Sequence, residues 1–68
     1  MLHSSFRDAY KGRVFTIYFD SYPNGFTARL EIEGLPPREY SDRIWVDREQ
    51  AKTDVSNDAR AMIDGLIG

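Results

Sequence analysis

The chain has no cysteine among its 68 residues and a single histidine, His3. The first absence removes a disulfide framework and any thiolate metal site, and one imidazole alone cannot build a zinc centre. Nor is there a surplus of basic charge, since nine Lys and Arg stand against eleven Asp and Glu for a net charge of −2. A nucleic-acid binder ordinarily needs such a surplus to release counterions from phosphates, so nucleic acid is a disfavoured partner. No run approaches the ~20 apolar residues of a membrane span, and the first eight residues hold no basic stretch followed by an apolar segment of signal-peptide length. A soluble, cytoplasmic protein with no membrane segment is the expectation. Gly12 and Gly25 are isolated, so nothing resembles the clustered glycines of a phosphate cradle, and no carboxylate is spaced to orient His3 towards Ser4, Ser5, Ser21, Ser41 or Ser56.

What is present is the material of one small folded domain spanning 1–68. A domain of this length buries only about 60% of its unfolded surface, which favours reinforcement by self-association. Residues 1–9 show no clean period and read as a flexible arm, with Phe6 able to dock on a core formed by residues 10–67. From Arg13 to Asp20, aromatic and β-branched residues place Phe15, Ile17 and Phe19 on one face at period two, the pattern of a strand. Pro23, Asn24 and Gly25 supply the chemistry of a hairpin turn, with Asn24 and Gly25 suited to left-handed backbone. Phe26 to Glu33 then alternates without a fault, Phe26, Ala28, Leu30 and Ile32 inward and Thr27, Arg29, Glu31 and Glu33 outward.

Pro36 and Pro37 end that strand and open a loop to about Asp42. Arg43 to Val46 reads as a short third strand, Asp47 as a helix N-cap and Gln50 as its capping-box partner. In the helix that follows, Ala51, Val55, Ala59, Met62 and Leu66 draw one apolar stripe, widened by Ile63 and Ile67, while Gly65 and Gly68 mark its end. The turn around Thr53–Asp58 has poor intrinsic propensity and depends on tertiary packing. The fold class expected is α+β: a three-stranded antiparallel β-meander packed against one C-terminal α-helix, β-β-β-α.

Paired carboxylates are the first candidates for chemistry, and Asp54 and Asp58 lie one helical turn apart while Glu31 and Glu33 share the outer face of the second strand. A carboxylate becomes catalytic when burial or a like charge perturbs it, and both pairs fall on faces that point to water, so a solvated face is the expected role. No catalytic, metal or cofactor site is expected. The aromatics are more informative. If Ile44 and Val46 face inward, Trp45 points outward with Val14 and Tyr18, and these with Arg29 form an interaction surface on the uncovered sheet face for a second copy or another protein. The other reading of Trp45 is that it tucks under the loop or the N-terminal arm of its own chain.

Tyr10-Lys11-Gly12 leading into an alternating strand, Trp45 to Ala51 opening a helix, and Ala59-Arg60-Ala61-Met62-Ile63-Asp64 closing it resemble the small uncharacterised bacterial β-β-β-α proteins. More distantly, the order of elements is similar to the N-terminal part of HicB-like antitoxins, which block a small ribonuclease toxin. The chain departs from that pattern in lacking its further strand, its DNA-binding domain and its glycine-aspartate hairpin, and no functional residue carries over. The alternative to a protein-interaction module is a nucleic-acid-binding or antitoxin-like regulatory module, and nucleic-acid binding would rely on Arg29, Arg38, Arg43 and Arg48 clustering in space despite the acidic total.

Overall fold

The computed structural model describes residues 3–67, with the side chains of His3 and Ile67 outside the description. Four antiparallel strands form one sheet in the order β1-β2-β3-β4, followed by one helix. The strands are β1 (His3–Tyr10), β2 (Arg13–Tyr22), β3 (Gly25–Ile32) and β4 (Arg38–Glu39), and the helix is α1 (Arg48–Ile67). The class is therefore the expected α+β, with four strands in place of three.

Two of the four were not expected: the short β4 lies in the segment read as a loop, and β1 is the segment read as a flexible arm. His3 to Tyr10 pairs with β2 along its length, from His3 opposite Asp20 to Tyr10 opposite Arg13. Its inward positions are Ser4, Phe6, Asp8 and Tyr10, half of them polar, which hides the period-two signal that a buried strand would show. The turn carries the missing information: Lys11 and Gly12 both adopt positive φ, 50° and 79°, the two-residue hairpin geometry whose twist matches that of the strands. The sequence reading of residues 1 and 2, and of Gly68 and the Ile67 side chain, falls outside the described residues.

β2 and β3 follow expectation. Phe15, Ile17 and Phe19 are buried opposite Ile32, Leu30 and Ala28. Residues 43–46 form no strand; only Trp45 makes a bridge, exchanging both backbone hydrogen bonds with Phe26 at 2.8 and 2.9 Å. The expected sidedness is reversed there, with Trp45 3% exposed while Ile44 and Val46 stand 51% and 89% exposed. A ring that removes some 200 Å² of surface from water outweighs two aliphatic side chains in the competition for the core.

Asp47 caps α1, its Oδ1 accepting the Gln50 N–H at 2.7 Å, but the Gln50 side chain donates to Asp54 and does not close the capping box. Ala51, Val55, Ala59 and Ile63 are fully buried at successive steps of four, whereas Met62 is only half-buried and Leu66 is exposed. The helix continues through Gly65. The turn at Thr53–Asp58 holds because Val55 and Ser56 are buried within it.

Pro23 and Asn24 make the β2–β3 turn, and Gly25 alone takes the unusual backbone there, with φ 140°. A Cβ at Gly25 would stand 2.3 Å from the Trp45 carbonyl oxygen and 2.7 Å from Ile44 Cγ2. Gly25→Ala is therefore expected to destabilise the fold by more than the ~1–3 kcal/mol of the backbone strain alone, because the Phe26–Trp45 bridge must open as well. Chemical denaturation of the two proteins measures the difference.

Candidate interaction surface

Both edges of the sheet can be followed group by group. In a hairpin closed by two residues the closing pair is hydrogen-bonded, so on β1 the pairs at Tyr10, Asp8, Phe6 and Ser4 bond to β2. Ser5, Arg7 and Ala9 turn their N–H and C=O groups away from the sheet. Two contacts agree with this alternation: the Ala9 N–H is taken by Asp8 Oδ1 at 2.8 Å, and the Ser5 carbonyl accepts from Arg48 Nη2 at 3.2 Å.

The opposite edge is closed. On β3 the outward positions are Phe26, Ala28, Leu30 and Ile32. Phe26 is bridged to Trp45, the Ala28 carbonyl accepts the Tyr40 N–H, Leu30 pairs with Arg38, and the Ile32 carbonyl accepts the Leu35 N–H. Among the described residues, β1 is the long strand whose outer side has no strand beside it, its Ala9 N–H and Ser5 carbonyl being met by side chains alone.

The uncovered face of the sheet is polar. Cross-strand pairing sets Ser5, Tyr18, Arg29 and Glu39 in one row and Arg7, Thr16 and Glu31 in the next. Arg29 lies 4.8 Å over the Tyr18 ring and 3.3 Å from Glu31, so the exposed rim of Tyr18 is roofed by a paired cation. Val14 is half-buried on the same face. A shallow depression there is walled by Tyr18, Asp20, Thr27, Arg29 and Glu39. Of the four residues expected to share this surface, Val14, Tyr18 and Arg29 are on it and Trp45 is not.

Trp45 lies instead on the helix side, as its alternative reading had it. Its Nε1–H donates to Asp54 Oδ2 at 2.8 Å, its ring meets Tyr40 edge-on at 5.7 Å, and Arg43 lies 4.7 Å above it. Tyr40, which sequence reading left in a loop, is buried beside it and donates its hydroxyl to Asp58 at 2.9 Å. Asp54 and Asp58 thus hold the aromatic loop against the helix and are not a free acidic pair. At the other end of α1, Asp64 accepts from Tyr10 at 3.1 Å and from Lys11 at 2.6 Å, which pins the β1–β2 turn.

These bonds set the titrations. Asp54 is held below the usual carboxylate range chiefly by the Trp45 N–H, aided by Gln50 and Arg43, and Asp64 chiefly by Lys11. Burial, then the bond to Asp58, raises Tyr40 well above the usual tyrosine range. Neither carboxylate is tuned upward towards neutral pH, as a general acid would be. Among the described residues no group of three or more His, Cys, Asp or Glu could hold a metal ion, and no helix is long and apolar enough to cross a membrane.

At the edge of β1 the helix contributes two cations. Arg48 Nε donates to Ser4 Oγ at 3.0 Å while its guanidinium lies 4.6 Å over Phe19, and Lys52 sits 4.7 Å over the ring of Phe6. Phe6 packs on the core but is only half-buried. Sequence reading missed this strip because it assigned the segment no structure; the Lys11-Gly12 turn was the signal that could have found it. No protein family, curated protein or solved structure matches the chain.

Two outcomes follow from the seam between loop and helix. Removing the Trp45 ring is expected to cost about 3–5 kcal/mol, as for other large-to-small core changes, so Trp45→Ala should lower the melting temperature sharply. The stabilisation from Asp54 and Asp64 is present above the unfolded carboxylate value near 3.8 and is lost as pH falls through their lower folded values. Asp54→Asn should therefore flatten the acid limb of the stability curve below about pH 4, which denaturation from pH 7 to pH 2 will show.

Proposed function

We propose that the chain is a non-catalytic protein-interaction module that takes an extended strand of a protein partner along the free edge of β1. The observation that carries this reading is the contrast between the two edges: β3 meets backbone partners at Phe26, Ala28, Leu30 and Ile32, while the outward groups of β1 meet no backbone, only the Arg48 side chain at the Ser5 carbonyl and Asp8 at the Ala9 N–H. A strand eight residues long with no strand on its outer side is a template for main-chain pairing, and strand addition is a recurring mode of peptide recognition.

Other features support the same reading. The turn of this hairpin is tied to α1 through Asp64, so the template is held rigid before it binds. The carboxylates that might have run chemistry are acceptors for aromatic and cationic donors. The arginines that a nucleic-acid binder would gather are spent separately, Arg29 on Glu31 and Tyr18, Arg43 on Asp54 and Trp45, Arg38 over Tyr40, and Arg48 at Ser4.

Arg7→Pro tests the reading, because proline removes an N–H that β2 does not use and is tolerated on the open side of an edge strand. Selection from a library of random eight-residue peptides should enrich strand-forming sequences on the natural protein and on Arg7→Ser, and lose at least tenfold in affinity on a folded Arg7→Pro. Absence of any enrichment, or enrichment that Arg7→Pro leaves unchanged, overturns it.

A further inference from the structure

The free edge also selects among partners, and here the inference rests on the strand-addition reading just given. We infer that the strand added to β1 is β1 of a second copy, paired antiparallel about a twofold axis at Phe6.

Symmetry restricts the choices. Residues opposite each other in an antiparallel pair lie on the same face, so a twofold axis normal to the sheet passes through one residue and its own counterpart. The axis can stand near the middle of β1 at Ser5, Phe6 or Arg7. An axis at Arg7 sets two guanidiniums directly opposite one another and puts the Asp8 carboxylate against the Phe6 ring, both unfavourable. An axis at Ser5 pairs only residues 3–7 of the described strand and leaves Asp8, Ala9 and Tyr10 beyond the ladder.

An axis at Phe6 satisfies each group in turn. Ser5 then lies opposite Arg7 of the second copy, and these are the outward-facing residues, so each such pair closes two backbone hydrogen bonds. The two Phe6 side chains meet on the helix side, where each is half-buried and the helix leaves room: α1 packs chiefly on β2 and β3 and less on β1. Asp8 comes opposite Ser4 of the second copy, the residue whose Oγ already receives Arg48 Nε. Its carboxylate therefore meets that guanidinium, twice by symmetry.

The single chain prefigures the exchange. In it Asp8 covers the outward Ala9 N–H. On pairing, Asp8 passes to Arg48 of the second copy, the Ser5 carbonyl turns from Arg48 Nη2 to the Arg7 N–H of the second copy, and the Ala9 N–H goes to the backbone of residue 3, so no buried donor is orphaned. The charges on the strand thus favour one register and oppose the next, which is how a short edge pairs specifically. An interface of one edge strand per copy is at the small end of the range, below about 1,200 Å², so a reversible, concentration-dependent dimer is expected.

Because the chain has no cysteine, single introduced thiols report the register. Ser5→Cys mixed with Arg7→Cys at high protein concentration should give at least fivefold more cross-linked dimer, with a short thiol-to-thiol reagent, than Ser5→Cys alone or mixed with Ala9→Cys. In sedimentation equilibrium, Asp8→Arg should weaken the dimer at least tenfold, and adding Arg48→Asp should restore it to within threefold. Dominant cross-linking of Ser5→Cys alone, or with Ala9→Cys, overturns the register, and with it the inference. A natural protein that stays monomeric at all concentrations while still selecting peptides overturns the second copy as partner and leaves strand addition standing. A dimer that Arg7→Pro does not disturb overturns both.

Discussion

The contact on which the rest of the molecule depends is that of Phe15, Ile17 and Phe19 on β2 with Ala51, Val55, Ala59 and Ile63 on α1, all buried to within 1% of full burial. Large residues on the sheet meet mostly small ones on the helix. That asymmetry lets the helix axis approach the central strands closely and fills the space between layers from the sheet side, as close packing requires. It also fixes which elements are peripheral. The helix can lie over only two or three strands, and with β2 and β3 beneath it, β1 is covered less than either.

A second layer of constraint is polar and runs along the margins of that contact. Asp54, Asp58 and Asp64 each accept a hydrogen bond from a Trp or Tyr that comes from the loop or from β1. Each aromatic buries its ring and satisfies its polar tip in one placement, so the loop from Tyr40 to Trp45 needs no regular strand of its own to be held. A cation lies over each of these three rings, which spends basic charge locally.

The parts of the fold legible in the sequence are those where burial is strictly periodic. β2 and β3 alternate because one face is dry, and the four-step stripe of α1 follows from the same cause. Trp45 was illegible for a different reason: its sidedness is set by competition among Ile44, Trp45 and Val46 for one buried site, and period two allows either outcome. β1 was illegible because Ser4 and Asp8 occupy inward positions at the sheet edge, where water still reaches them. Of the expected interaction surface, the outward placement of Trp45 fails for the first of these reasons, and the edge of β1 stayed hidden for the second. Val14, Tyr18 and Arg29 do lie on that face, but the pairing of Arg29 with Glu31 and Tyr18 could not be read from spacing alone.

The polar inward residues that concealed β1 are also what distinguishes it from an edge prone to indiscriminate pairing. A strand with alternating aliphatic residues would accept any neighbour in several registers, because apolar contacts discriminate poorly between shifts of two residues. β1 instead carries Arg7 on one face, Asp8 on the other, and a helix guanidinium anchored at Ser4. A shift of the axis from Phe6 to Arg7 sets like charges opposite one another and places Asp8 against the Phe6 ring. The same placement of charge that weakens the strand as a sequence signal therefore restricts the registers in which its edge could pair, and the cost in core-facing apolar area falls on a strand that the helix covers less than β2 or β3.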